Sequence, residues 1–214
     1  STTVHENAEG LRQVRDKGIE VVAINPLKPD TAEFFGKNCT WIAPKPGTDV
    51  AMMLAMAYEL ETTGKADPEF LRKYTVGYEE FKPYLLGQSD GVAKTPEWAE
   101  KICGVPAQTI RSLAVKMADK RSMLMGGWGI QRAQFGEQVH WMMVVLAAMC
   151  GHIGLPGGGF GFSYHYSNGG AATSQAPVLG GISANPKGGS QGMAWEGHSL
   201  ATIPLARFTE CFLN

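Results

Sequence analysis

Paired cysteines are missing from this sequence. Its four thiols, Cys39, Cys103, Cys150 and Cys211, stand far apart, and none falls in a CxxC spacing. That argues against a zinc site or an iron–sulfur cluster built within the chain, and against a disulfide framework. They read as lone thiols, buried or half-buried. Long apolar runs are missing too. Nothing approaches the roughly 20 residues of a membrane helix, and the most apolar stretch, Trp141–Met149, predicts a buried helix. Neither charge is in excess: the net charge is −1, with the charges interspersed, so no basic face for nucleic acid is offered. The GxGxxG fingerprint of dinucleotide domains does not occur, because Gly126 and Gly129 have another spacing. This counts against half of an ordinary nicotinamide dehydrogenase. The sequence does not open with Met and shows no targeting segment. Together with an ending that reads as a cut helix, this leads us to expect an interior piece of a longer protein.

What is present is globular. Hydrophobic residues make up 44% and charged residues 18% of 214 residues, enough for one sizeable core. Residues 6–18 predict a surface helix ended by Gly18. The β-branched run 19–24 predicts a fairly buried strand, broken by Asn25-Pro26. A second apolar run, Cys39–Ala43, leads into Pro44–Asp49. Thr48 or Asp49 is expected to cap a helix over 50–62. Asp67-Pro68 and Thr95-Pro96 each open a further helix by cap-then-proline logic, and Pro106 opens another over 107–119. Ser122–Met125 predicts a third strand, and a long helix runs from about Gly136 to Cys150. From Gly151 the chain becomes Gly-rich and irregular, with a weak helix near 205–213. The class is α/β: a Rossmann-like parallel sheet flanked by helices, with a helical insert at about 64–105 and a Gly-rich irregular C-terminal segment. We place the α/β domain at 1–155 and the C-terminal segment at 156–214. The stretch 157–197 is too long for a simple connection; it is either disordered or wrapped around a ligand.

In such a sheet ligands lie beyond the C-terminal strand edges. Those edges carry Asn25-Pro26-Leu27-Lys28-Pro29-Asp30-Thr31, then Pro44–Asp49 with Gly47, then Gly126-Gly127-Trp128-Gly129-Ile130-Gln131-Arg132. Asp49 at a helix start can accept from the edge of a guanine, or it can be a plain cap. Lys28 and Arg132 can meet a diphosphate, or they can be ordinary surface cations. Trp128 can lie along a flat ring, or it can pack in the core. The histidines show no metal spacing, and His140 within its apolar helix reads as a satisfied core or interface residue. Residues alone lead to an α/β holder of a nucleotide-bearing cofactor, with no catalytic acid, base or nucleophile and no metal ligand.

Several stretches carry a resemblance: Val22–Pro26, Pro46-Gly-Thr-Asp49, Tyr74–Gly87, Lys94–Ala99, and above all Gly127-Trp-Gly-Ile-Gln-Arg-Ala-Gln-Phe-Gly-Glu-Gln138 continuing to His152–Gly161. They resemble the molybdopterin-dependent oxidoreductases of the dimethyl sulfoxide reductase family. The wording is most similar to its trimethylamine N-oxide, dimethyl sulfoxide and biotin sulfoxide reductases. The resemblance implies a bis-molybdopterin guanine dinucleotide cofactor with molybdenum or tungsten. Asn25, Pro26, Lys28, Thr31, Gly47 and Asp49 would meet the guanosine end; Gly127, Trp128, Gly129, Arg132 and Gln138 would line the pterin, and the 156–214 segment would wrap it. It further implies two-electron oxygen-atom transfer from an N-oxide or S-oxide, trimethylamine N-oxide foremost, with an electron donor such as a c-type cytochrome. The implied metal ligand, a serine, precedes the matched region. The implied location is periplasmic, or cytoplasmic for a biotin sulfoxide reductase-like protein. The sequence departs from many relatives at Asn25, where they have aspartate, and at Phe135, where they have histidine. A fold that retained only an interaction role is the competing reading.

Overall fold

A computed structural model of the chain describes residues 7–127, 129–162, 194–195 and 198–199. The chain divides into two units, residues 1–169 and 170–214. In the second, the described residues form one antiparallel pair, β5 (Ala194–Trp195) with β6 (His198–Ser199).

The first unit is built on two parallel strand pairs, each closed through a helix. β1 (Val21–Ile24) pairs with β2 (Cys39–Ile42) through the short helix α2 (Asp30–Phe35). β3 (Met123–Gly126) pairs with β4 (Gly159–Phe162) through α8 (Glu137–Met149). The remaining helices are α1 (Asn7–Asp16), α3 (Asp49–Thr62), α4 (Pro68–Tyr74), α5 (Tyr78–Leu85), α6 (Pro96–Cys103) and α7 (Ala107–Asp119). This is the expected α/β class.

The centre of the core is α3. Its sequence is apolar on every side through its first half, and such a helix can be stable only when surrounded. Every residue from Ala51 to Ala57 is buried, as is Leu60. α6, α7 and α8 pack against it. The core is rich in methionine: Met52, Met53, Met56, Met117, Met142, Met143 and Met149 are all buried.

Helix starts follow their local chemistry where a cap is made. Asp67 accepts from the Phe70 amide at 2.9 Å and Thr95 from the Trp98 amide at 3.2 Å, each followed by Pro at the first helical position. α6 ends at Gly104 in the left-handed conformation. Glu20, just before β1, joins Lys116 at 2.5 Å and Lys120 at 3.1 Å, tying the strand's start to α7. Hydrogen bonds from Lys116 and then Lys120 hold the Glu20 carboxyl below its ordinary range.

Four expectations are corrected. Neither Thr48 nor Asp49 caps α3: Thr48 is the cap residue, but its hydroxyl donates backward to the Lys45 carbonyl at 2.6 Å, leaving no side-chain cap bond. β1 is half-buried, with Ile24 exposed, because β2 is its one sheet neighbour among the described residues. Trp141, at the start of the apolar stretch, is 66% exposed on the outer face of α8. A fourth strand, β4, lies in the stretch read as irregular. The helix expected at 205–213 lies outside the described residues. Among the described residues no helix is long and apolar enough to cross a membrane.

Candidate functional site

The parallel register Ile24↔Ile42 brings the exits of β1 and β2 to the same edge. The ladder continues one step beyond the strands, since the Asn25 amide donates to the Ile42 carbonyl at 3.0 Å. The Asn25 carbonyl accepts from the Trp41 indole at 2.9 Å, and its side-chain oxygen accepts from the Leu27 amide at 3.3 Å. This turn holds Asn25 at the edge with its side-chain amide donors uncommitted in that bond. Pro26 and Lys28 are exposed, and Thr31 is half-buried in the first turn of α2.

The second exit is pinned from behind. The Lys45 amide donates to the Cys103 carbonyl at 2.8 Å, and the Thr48 amide closes back on Lys45 at 3.3 Å. Gly47 is exposed in the left-handed conformation at the turn. Asp49 then stands half-buried in the first turn of α3.

The third group lies between β3 and α8. A 3-10 turn, Gly129–Gln131, follows the strand; the Arg132 amide donates to Gly129, Gly136 to Ala133, and Gln138 to Phe135. These bonds make 129–138 a run of successive turns that carries Gly129, Arg132 and Gln138 into α8. Gly127, Gly129 and Arg132 are exposed and Gln138 is half-buried. Trp128 lies outside the described residues. Phe135 adopts φ 57° and is 68% exposed, a left-handed conformation costly for a bulky side chain. The predicted residues thus form two groups, one at the shared β1/β2 exit and one after β3.

Two open clefts in this unit are lined by none of the predicted residues. One, of about 210 Å³, lies between Val22, Thr40 and Ile42 of the first strand pair and Gln108–Lys116 of α7. The other, of about 480 Å³, lies where α3 ends against α4 and α5. There Glu61 accepts from the Tyr78 hydroxyl at 2.6 Å and pairs with Lys82. Burial, then the Glu61 carboxylate, pushes the Tyr78 hydroxyl upward. Sequence reasoning passed over this cluster, whose one local signal is the Tyr78–Lys82 spacing on a helix.

His152 follows α8 and is buried. The Ser122 amide, at the start of β3, donates to its Nδ1 at 3.4 Å. Burial and the nearby Arg121 charge lower its pKa from the ordinary 6.5. The unfolded chain therefore binds the proton more readily. Stability is full above pH 6.5 and is lost as pH falls below that value toward the folded pKa. The thermal midpoint is expected to fall more steeply between about pH 7 and about pH 5.5 than in His152→Asn; parallel slopes would show that His152 does not carry the effect.

A family model described as "Molybdopterin oxidoreductase" matches residues 2–205. The trimethylamine-N-oxide reductase of Haemophilus influenzae is 48% identical over 214 residues, which is 100% of this chain and 26% of that protein. The dimethyl sulfoxide/trimethylamine N-oxide reductase of Cereibacter sphaeroides is 50% identical over 211 residues, 98% of this chain and 25% of that protein. The chain thus spans about a quarter of the length of the curated relatives it matches. Among solved structures, the acetylene hydratase from Pelobacter acetylenicus superimposes with a TM-score of 0.59 at 22% identity, covering 70% of this chain and 19% of that one. At that identity the likeness is one of fold.

Proposed function

This chain belongs to the molybdopterin oxidoreductase family, and we propose that it is the cofactor-holding part of an enzyme that reduces an N-oxide or S-oxide, with trimethylamine N-oxide foremost. The observation that carries the reading is near-50% identity along the whole chain to proteins named for those substrates. The cofactor would be bis-molybdopterin guanine dinucleotide, with molybdenum or, alternatively, tungsten. When bound, it supplies two-electron oxygen-atom transfer with re-reduction by an outside donor, for which a c-type cytochrome is suited.

The chain's own residues fit such a group. Asn25, Pro26, Lys28, Thr31, Gly47 and Asp49 would receive the guanosine end at the shared exit of β1 and β2. Asn25 contributes amide donors, Lys28 a cation, and Asp49 two acceptor oxygens held at a pinned helix start. Gly127, Trp128, Gly129, Arg132 and Gln138 would line the pterin. Among the described residues, nothing lies within 4 Å of where a Cβ at Gly127 or Gly129 would stand. The described neighbours therefore set no demand for glycine at these two positions, whereas a flat ligand lying against the backbone would. No residue here is assigned to the metal. A periplasmic location fits a respiratory reductase, and a cytoplasmic one a biotin sulfoxide reductase-like protein.

The test is metal and nucleotide analysis of the protein that carries this chain. One molybdenum or tungsten with two guanine nucleotides per molecule is expected; neither metal nor pterin, from cells that make both, would overturn the reading. Asp49→Ala removes two charge-assisted acceptors worth about 2 kcal/mol. Guanine nucleotide retained after desalting is expected to drop roughly tenfold or more. Full retention would remove Asp49 from the site.

A further inference from the structure

Gly126 ends β3 and leads directly into the Gly127–Arg132 run. Its φ is not left-handed, so the strand's conformation alone would admit any residue. The demand for glycine comes from behind the strand. A Cβ on Gly126 would stand 2.8 Å from the Sδ of Met143, 3.1 Å from its Cε and 3.2 Å from Cδ1 of Ile130. Met143 is 5% exposed on the core side of α8, and Ile130, within the 3-10 turn, packs against the same core. One thioether thus sits against the last α-carbon of the strand and beside the apolar side chain of the turn that follows. The atoms a Cβ would meet are the end of a flexible side chain. A methyl group there would be accommodated by turning Met143 aside, which takes the support away from the turn without dismantling the fold.

We propose that Met143 is a positioning residue for the cofactor-binding turn. Its side chain, by its volume, sets the height of Gly126 and of the Gly129–Gln131 turn, and the missing Cβ of Gly126 is the other half of that contact. Met143 does not touch the cofactor and acts through Gly126 and Ile130. The inference rests on the reading that Gly127–Arg132 meets the pterin; the residue itself is chosen from the packing in this chain.

The experiment compares Met143→Ala, Met143→Leu, Gly126→Ala and the double variant Gly126→Ala/Met143→Ala in the protein that carries this chain. The readouts are molybdenum and guanine nucleotide per molecule, the visible absorption of the loaded centre, its reduction potential and the thermal midpoint. Met143→Ala and Gly126→Ala are each expected to lower bound cofactor severalfold and to shift absorption and potential. Met143→Leu keeps the volume and is expected to match the parent. In the double variant the new methyl lies in the space the thioether leaves, so its loss is expected to be smaller than the two single losses combined. Met143→Ala with parental cofactor content and an unshifted potential would overturn the proposal, as would strict additivity in the double variant. If Met143→Ala does not accumulate, Met143→Val takes its place: shorter and branched, it is expected to shift the potential where Leu does not, and equal behaviour of Val and Leu overturns the role. A parent without metal or pterin would sink the cofactor reading itself; a loaded parent with indifferent variants sinks only the role of Met143.

Discussion

Alanine in place of Gly136 is expected to destabilise the first unit by about 3 kcal/mol or more, because the obstruction is main chain rather than side chain. A Cβ there would stand 2.5 Å from the Gln131 carbonyl carbon and 2.6 Å from its Cα, and closer still to the oxygen. No rotamer change removes a backbone carbonyl. The turn must open, and it is held by the Gly136 amide on Ala133 and the Gln138 amide on Phe135, both at 3.0 Å. Opening it releases the start of α8, whose inner face supplies much of the core. Phe135→Gly offers the opposite sign nearby. It removes the left-handed penalty of a bulky residue at φ 57°, about 1 kcal/mol, and Phe135 loses little burial because it is exposed. Thermal unfolding of the two variants beside the parent decides the matter. A Gly136→Ala midpoint equal to the parent's would mean that the close approach to Gln131 does not exist.

The second large effect is expected at Lys94. This side chain is 2% exposed, a rare state for an ammonium. It is held on every side: it pairs with Asp90 at 2.6 Å, donates to the Val92 carbonyl, and lies 4.2 Å from the Tyr84 ring centroid and 5.8 Å from that of Trp98. Removing it does not strand a buried anion, since the Asp90 side chain is 40% exposed and can be hydrated. What is lost is the packing of four methylenes, the ring contacts and the bond to Val92. Lys94→Ala is expected to cost about 3 kcal/mol. Lys94→Met, which restores most of the volume, is expected to recover about half. Equal losses for Ala and Met in denaturant titration would put the whole effect on the charge and none on packing.

How far the sequence predicted this structure depended on whether the cause was local. Asp67-Pro68, Thr95-Pro96 and Pro106 marked the starts of α4, α6 and α7 because cap and proline act within one turn. α2 was passed over because six residues after a proline give no periodicity to read. α5 was passed over because it begins after a left-handed Gly77 and carries Pro83 inside its last turn. β4, Gly159-Phe-Gly-Phe162, lacks β-branched residues and becomes a strand through its register with Met123–Gly126. The three strand exits were legible as punctuation in the chain. The contacts behind them, Met143 against Gly126 and Gln131 against Gly136, join residues on different elements and leave no mark in spacing. The cap expected of Thr48 failed because Lys45 offered its hydroxyl a nearer acceptor.

The methionine-rich core has a consequence for how this protein tolerates change. Among the described residues seven of nine methionines are buried, and an unbranched thioether can refit to a neighbour of altered shape at small cost. The interior around α3 is therefore permissive: swaps among Leu, Ile and Met should drift through it over generations without loss of fold. Variation is constrained where backbone meets backbone or sulfur, at the glycines flanking the turn into α8. A random library of this chain would accordingly show its interior as variable and its glycine-lined edge as invariant, the reverse of the usual contrast between core and loop.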